Sequence, residues 1–372
     1  MNRLQKKIIL KDIEKKLVFI VGPRQVGKTW LAKDIGKDFN HVIYLNYDNI
    51  EDRKIIKNAS WLTSKGLLIL DEIHKMPDFK NYLKGIYDTK DSNLKMIVTG
   101  SARLDFIRQS GDSMAGRFYT HRLLPLSPAE VIGTEFDNNI ERFMERGGFP
   151  EPFLASDIID SKRWRMQYID GLIRNDILDL GKINDFKAIQ TVLELLRERV
   201  GSPLSYSSIA QDVAISPNTV KKYIQIFEAL YIIFKITPYS KNIARSLLKE
   251  PKVYFYDIGM VKSDQGVIFE NMVALSLLNY VYTKIDQEGK NYALHYFRTK
   301  EGKEIDFCIV EDNKPQCIIE TKLSDSNPSQ MLTYFNERYQ IKALQIVKEL
   351  RHEKNERNIE VRRGIDYLKQ LI

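Results

Sequence analysis

Cysteine is nearly missing from this chain of 372 residues: Cys308 and Cys317 are the whole supply. Two thiols cannot build a disulfide framework or a four-cysteine zinc site, so free thiols in a reducing compartment are expected. Long hydrophobic runs are missing as well. Lysine or glutamate interrupts each early apolar stretch, and no segment is long enough to span a bilayer. These absences predict a cytoplasmic protein with no signal-peptide core and no membrane role. Repeats and low-complexity tracts are also absent. Charge of one sign is only mildly in excess, since 57 Lys and Arg against 49 Asp and Glu leave +8. That balance is compatible with a nucleic-acid partner and equally with ordinary solubility.

What is present is a globular composition. Hydrophobic residues make up 43% and charged residues 28%, which excludes a disordered tail, a collagen-like fibre and a small stapled scaffold. The length suggests two or three domains. Residues 17–21, 42–45, 67–70 and 96–99 are continuous apolar runs of the kind buried on both faces of a parallel sheet. The stretches between them are long enough for crossover helices, so the first third reads as an α/β sheet domain. Proline and glycine at 125, 128, 133, 147, 148 and 150 then punctuate the chain. They place a domain boundary near 147–150. The periodicity is helical over 164–230, and short strands and helices alternate from 253 onward. The expected domains are therefore 1–150, 151–255 and 256–372.

Gly22-Pro23-Arg24-Gln25-Val26-Gly27-Lys28-Thr29 follows an expected strand and precedes an expected helix opened by Trp30. This is the P-loop pattern in its proper context. Gly22 and Gly27 let the backbone curl its N–H groups toward phosphate oxygens. Lys28 would neutralise the β- and γ-phosphates of ATP, and the Thr29 hydroxyl would ligate Mg²⁺. Residues 22–30 are thus the expected nucleotide contacts. The run Leu67-Leu-Ile-Leu70-Asp71-Glu72 ends in two acids. Asp71 at the strand tip would hold Mg²⁺, and Glu72 would polarise an attacking water. Thr99 or Ser101, after a further strand, would orient that water. Arg103, Arg117 and Arg122 are candidates to stabilise transition-state charge, in cis or across a subunit interface, with Arg117 preferred.

Residues 204–213 read as a short helix capped by Ser205. Ser216, with Pro217 behind it, caps a second helix. Val220, Tyr223, Ile224, Phe227 and Leu230 form its apolar face, and Asn218, Thr219, Lys221, Lys222 and Gln225 its polar one. A polar N-terminal half of a second helix is what enters a major groove. Residues 234–255 would form a wing bearing Lys235, Lys241, Arg245, Lys249 and Lys252. The other reading of this module is packing or protein contact alone.

Glu304-Ile-Asp306-Phe-Cys-Ile-Val310 and Pro315-Gln-Cys-Ile-Ile-Glu320-Thr-Lys322 read as two strands joined at Asp312-Asn313-Lys314. Pairing Glu311 with Pro315 sets Asp306 opposite Glu320 and Glu304 opposite Lys322, on one polar face of a half-buried sheet. Asp306 and Glu320 would bind Mg²⁺ or Mn²⁺, with Glu270 adding an acid from an upstream helix. Lys322 would position or activate the attacking water. This is the Asp…Glu-x-Lys arrangement of PD-(D/E)XK nucleases; the other reading is a solvated strand face.

Taken together, the chain resembles an AAA-type ATPase family of bacteria and archaea that carries a C-terminal domain of unknown function. The resemblance rests on 22–29, 68–73, 99–102, 115–117, 124–127, 147–150, 174–176, 206–223, 254–259, 269–271, 302–307 and 319–322. It implies ATP binding and hydrolysis, a winged-helix module and a restriction-endonuclease-like terminal domain. The expected fold is an α/β P-loop NTPase, then the helical module, then a second α/β domain. Duplex DNA is the expected partner, with a homo-oligomer as a further expectation. The alternatives are an ATP-dependent switch whose terminal domain binds without cleaving, and an ATPase acting on protein alone.

Overall fold

Apolar strands and helices alternate through the first hundred residues, and in the computed structural model they fold as that alternation requires. The structure describes residues 3–59, 61, 65–100, 114–176, 185–240, 250–299, 301–356 and 358–371, without the side chains of 175 and 176. The chain divides into two compact units, Met1–Leu124 and Pro125–Ile372.

The first unit contains α1 (Gln5–Asp12), β1 (Leu17–Val21), α2 (Lys28–Gly36), β2 (Val42–Asn46), α3 (Ile50–Asn58), β3 (Gly66–Asp71), α4 (Phe79–Thr89), β4 (Leu94–Gly100) and β5 (Phe118–Arg122). The strands form one sheet in the order β2-β3-β4-β1-β5, with every pairing parallel. β1 is buried throughout, and β3 and β4 nearly so, as two-sided covering requires. The four expected strands are all there. β5 is the addition: Phe-Tyr-Thr-His-Arg has no continuous apolar run, because an edge strand buries less.

The second unit begins earlier than the expected boundary. Its first helices are α5 (Ile140–Arg146), α6 (Pro150–Leu154) and α7 (Ile158–Gly171). The Gly147-Gly148 pair is no linker. Gly148 O accepts from Leu126 N at 2.6 Å. A Cβ on Gly147, at φ 72°, would lie 2.2 Å from Asp257 Oδ1. The glycines mark a close backbone crossing inside the unit, which local composition cannot distinguish from a hinge.

Three helices follow, α8 (Phe186–Glu198), α9 (Tyr206–Val213) and α10 (Pro217–Ala229), then the antiparallel pair β6 (Ile233–Ile236) and β7 (Lys252–Phe255). The expected caps are in place: Ser205 accepts from Ser208 N and Ser216 from Thr219 N. Residue 214, in the left-handed region at φ 57°, makes the break between α9 and α10.

The remainder is α11 (Gln265–Glu288), β8 (Tyr292–Arg298), β9 (Glu304–Glu311), β10 (Lys314–Lys322), α12 (Gln330–Tyr339), β11 (Lys342–Val347), β12 (Lys354–Glu356), β13 (Ile359–Arg363) and α13 (Gly364–Leu368). These strands make a mixed sheet in the order β12-β13-β11-β10-β9-β8. The β9–β10 hairpin is tighter than expected. Glu311 pairs with Lys314 across Asp312 and Asn313, at φ 47° and 63°, as a two-residue turn demands. A bulge between Pro315 and Cys317 then restores the expected register, Ile318 to Cys308 and Ile319 to Phe307. The paired residues end there, and Thr321 N and Oγ1 donate to Asp306 Oδ2 just beyond.

The half-buried sheet is corrected. Cys308, Val310 and Ile318 join Leu332 and Phe335 of α12 in one core cluster, while Phe307 meets the Tyr254 ring at 5.8 Å. Both faces are covered, and the polar residues are confined to the strand ends.

Candidate functional site

In the first unit, parallel register does the assembling. Val21 pairs with Gly100, Asp71 with Thr99 and Asn46 with Asp71. The 22–29 loop and the acid strand tip therefore share one edge of the sheet. Gly22, Gln25 and Gly27 have φ of 146°, 57° and 98°. A Cβ on Gly22 would lie 2.1 Å from Leu123 O, so the loop has no room for a side chain there. Val26 is buried and Trp30 is 49% exposed at the start of α2.

Lys28 Nζ donates to Gly22 O at 3.0 Å and to Pro23 O. Burial lowers its pKa to about 8, against the opposing pull of Glu72 and Asp71. Thr29 Oγ1 donates to Asp71 Oδ2 at 2.8 Å, and Tyr44 OH to the same oxygen at 2.8 Å. Thr99 Oγ1 donates to Asp71 Oδ1. An enclosed ammonium held by backbone carbonyls, beside a hydroxyl and a carboxylate already paired, is the donor set a magnesium–triphosphate group needs. Lys28 would meet the phosphates, and Thr29 and Asp71 the metal.

Glu72 stands at φ 56°, and its N–H donates to Thr99 O at 3.1 Å. Its carboxylate is 3.5 Å from His74 Nε2 and 3.6 Å from Lys75 Nζ. Burial raises its pKa, which suits a group that accepts a proton from water.

Two sequence expectations change here. The Thr99 hydroxyl is committed to Asp71, so it holds the carboxylate and does not orient a water. Arg117 precedes β5 at its N-terminal end, where its backbone O accepts from Leu17 N. β5 spans five residues at about 3.3 Å each, so roughly 16 Å of strand separates Arg117 from the loop edge. It is paired instead with Asp88, Nε at 2.8 Å and Nη2 at 3.1 Å. In cis it is at the wrong end of the sheet. Arg122, opposite Val21, is at the right end. Ser101 and Arg103 lie outside the described residues.

Tyr44 is the residue that sequence reading missed. It sits in an apolar run, and nothing local signals that its hydroxyl faces a carboxylate one strand away.

In the second unit, Val220, Tyr223, Ile224 and Phe227 of α10 are buried as expected. Asn218, Lys221, Lys222 and Gln225 are exposed. The supposed wing lysines behave differently. Lys235 pairs with Glu228 at 2.8 Å, and Lys252 is 2% exposed. Lys241, Arg245 and Lys249 lie outside the described residues.

Lys252 belongs to the carboxylate cluster. A cleft of about 460 Å³ is lined by Glu270 near the start of α11, by Asp306, and by Thr321 and Lys322 at the strand end. Lys252 Nζ lies 2.7 Å from Glu304 Oε1 and 3.7 Å from Glu270 Oε1. Burial alone would lower its pKa, yet Glu270, Asp306 and Glu304 outweigh that and hold it above its ordinary value. Tyr254 OH donates to Glu270 Oε1 at 2.6 Å. Burial, with Asp306 nearby, raises Glu270 to about 8.

Asp306 Oδ2 accepts from Thr321 N at 2.9 Å and Thr321 Oγ1 at 2.8 Å. Glu320 is 2.8 Å from Lys322 Nζ and does not line the cleft. Glu270, Asp306 and Lys322 thus line the cleft together, while Glu320 stands beside them off the lining, close enough that the Asp306 charge adds to burial in raising its pKa. Among the described residues, no group of three or more His, Cys, Asp or Glu is arranged to hold a metal ion. The expected metal set Glu270, Asp306 and Glu320 is thus not drawn together as a ready-made cation site among the described residues.

Comparison with known proteins follows these divisions. Residues 14–132 match a family model described as an AAA domain. Residues 137–267 and 265–369 match two further models, described as domains of unknown function DUF8612 and DUF4143. An uncharacterized protein of Methanocaldococcus jannaschii is 26% identical over 362 residues, covering 86% of this chain and 79% of that one. One from Mycobacterium tuberculosis is 24% identical over 308 residues, covering 80% and 68%. Among solved structures, a Walker-type ATPase of Pyrococcus abyssi is similar at TM-score 0.46 and 15% identity, covering 70% of this chain and 94% of that one. The chain carries an AAA-type P-loop ATPase domain followed by a C-terminal domain of the DUF4143 type. Among the described residues, no helix is long and apolar enough to cross a membrane.

Proposed function

We propose that the chain is an ATP-driven switch acting on duplex DNA, with a terminal domain that grips without cutting. The observation that carries it is the meeting of the Gly22 loop, Lys28, Thr29, Asp71 and Glu72 at one sheet edge. Lys28 neutralises the β- and γ-phosphates. Thr29 and Asp71 would hold Mg²⁺, whose charge would screen the phosphate oxygens. Glu72 takes the proton of the water that attacks the γ-phosphorus as the bond to ADP breaks. Arg122 replaces Arg117 as the cis arginine candidate, and Arg117 keeps such a role only between copies of the chain.

The order α8, α9, α10, β6, β7 supports the winged-helix reading, with α10 as the groove-facing helix. Its exposed Asn218, Lys221, Lys222 and Gln225 supply both base-edge and phosphate contacts. The partnered carboxylates of the terminal domain favour binding over metal-dependent cleavage, and so favour the switch over the nuclease.

Incubating the full chain with supercoiled plasmid, Mg²⁺ or Mn²⁺, with and without ATP, tests this. ATP turnover stimulated by DNA, lost in Lys28→Ala, and an intact plasmid are expected. Nicking that disappears in Asp306→Ala would restore the nuclease reading. Turnover indifferent to DNA would favour a protein partner.

A further inference from the structure

PD-(D/E)XK sites gather carboxylates around a divalent cation. Such an ion asks for about six oxygen ligands, at about 2.1 Å for Mg²⁺. The cleft in the second unit has the acids but spends them otherwise. The oxygen of Glu270 that faces Lys252 also accepts from Tyr254. Glu304 is paired with Lys252 and lies 3.8 Å from Arg298 Nε. Asp306 accepts from the Thr321 backbone and hydroxyl. Among these groups Lys252 is the deeply buried cation, and its ammonium lies beside the Tyr296 ring at 5.4 Å.

We propose that Lys252 is a tethered counter-ion that occupies, from within the chain, the electrostatic position of the divalent cation, so that this cleft takes neither Mg²⁺ nor Mn²⁺. A dication entering between Glu270 and Asp306 would face a buried ammonium that already lies 3.7 Å from Glu270 Oε1. Glu304 would stay paired with Lys252 at 2.7 Å, so the ion would add a second, divalent positive charge beside a buried ammonium, and like charges brought together away from water repel strongly. The lysine also ties two parts of the fold together. It is the first residue of β7, whose partner strand β6 follows α10 directly. The strand pair that follows α10 thus delivers the buried charge that lies behind Glu270.

The inference extends the non-cutting reading to its cause, and its test separates the two. Mn²⁺ binding to the nucleotide-free full chain is measured by electron paramagnetic resonance in wild type, Asp306→Asn, Lys252→Gln and the double variant. Wild type and Asp306→Asn are expected to bind Mn²⁺ alike. Lys252→Gln is expected to gain one site per chain, at least tenfold tighter than any wild-type site, and to lose it in the double variant. A wild-type site that Asp306→Asn abolishes would overturn the inference, and that comparison decides it even where Lys252→Gln fails to fold. A folded Lys252→Gln protein that gains no site would overturn it as well. Mn²⁺ bound at the cleft of a protein that leaves plasmid intact would sink the inference alone and leave the switch reading standing.

Discussion

Lys28 and Glu72 are both held away from their ordinary titration ranges by burial: the rise at Glu72 suits a proton acceptor, and the fall at Lys28 disfavours the charge that a phosphate needs. The Lys28 pKa of about 8 against 10.5 for an exposed lysine means that charging it costs folding free energy below pH 8. Stability therefore rises as pH climbs from about 8 toward 10.5. A phosphate reverses the preference and draws a proton back. Nucleotide affinity is expected to be level below pH 8 and to fall above it, with proton uptake on binding. Calorimetry in buffers of different ionisation enthalpy reads that uptake, and Lys28→Gln should show none. Glu72→Gln should leave nucleotide bound while turnover falls about 10²–10⁴-fold, the range a positioned proton acceptor supplies. Wild-type turnover in that variant would assign the base to another group. Position 28 was legible because the P-loop pattern specifies it. Lys252 was not, because a lysine in a basic stretch looks the same whether it faces solvent or three carboxylates.

At the scale of elements, α10 shows what periodicity can and cannot do. Its buried stripe was readable from 3.6-residue spacing, and so was its polar face. Replacing Lys221 and Lys222 by Ala should weaken DNA binding and lower the salt slope by about 2, one for each phosphate no longer neutralised. An unchanged slope would remove α10 from the proposed DNA contact. The β9–β10 pair teaches a complementary lesson. Its register at Ile318 and Ile319 was inferred correctly from the wrong turn, because a bulge compensates for the shorter loop. Alternation said nothing about the covering of the second face, since Cys308, Val310 and Ile318 are interspersed with the same acids that suggested a wet surface.

At the scale of the whole molecule, the second unit is locked by a buried ion pair between Arg165 of α7 and Asp257, just after β7. Arg165 also donates to Arg146 O at 3.0 Å, and Asp257 accepts from Gly259 N at 3.1 Å. Asp257→Ala leaves a buried guanidinium unpaired. It should cost about 3–5 kcal/mol in the unfolding of this unit, read from a denaturant titration. A loss below about 1 kcal/mol would show that water reaches Arg165. This lock also explains why Gly147 and the Tyr256-Asp257-Ile258-Gly259 run stood out in the sequence without carrying chemistry: Gly147 makes room for Asp257 and Gly259 for Arg165, across about a hundred residues.

The phosphate loop, the acid-tipped strand, the parallel sheet and the capped helix pair were readable from the chain alone. Each is specified by residues close together in sequence, through backbone conformation, capping and burial periodicity. The position of Arg117 at the far edge, the commitment of Thr99 and Tyr44 to Asp71, the true start of the second unit and the pairing of Lys252 with Glu270 and Glu304 were not. Those depend on which strands lie side by side and which side chains lose water together. Burial and Coulomb interaction act through space, and distance along the chain does not report them.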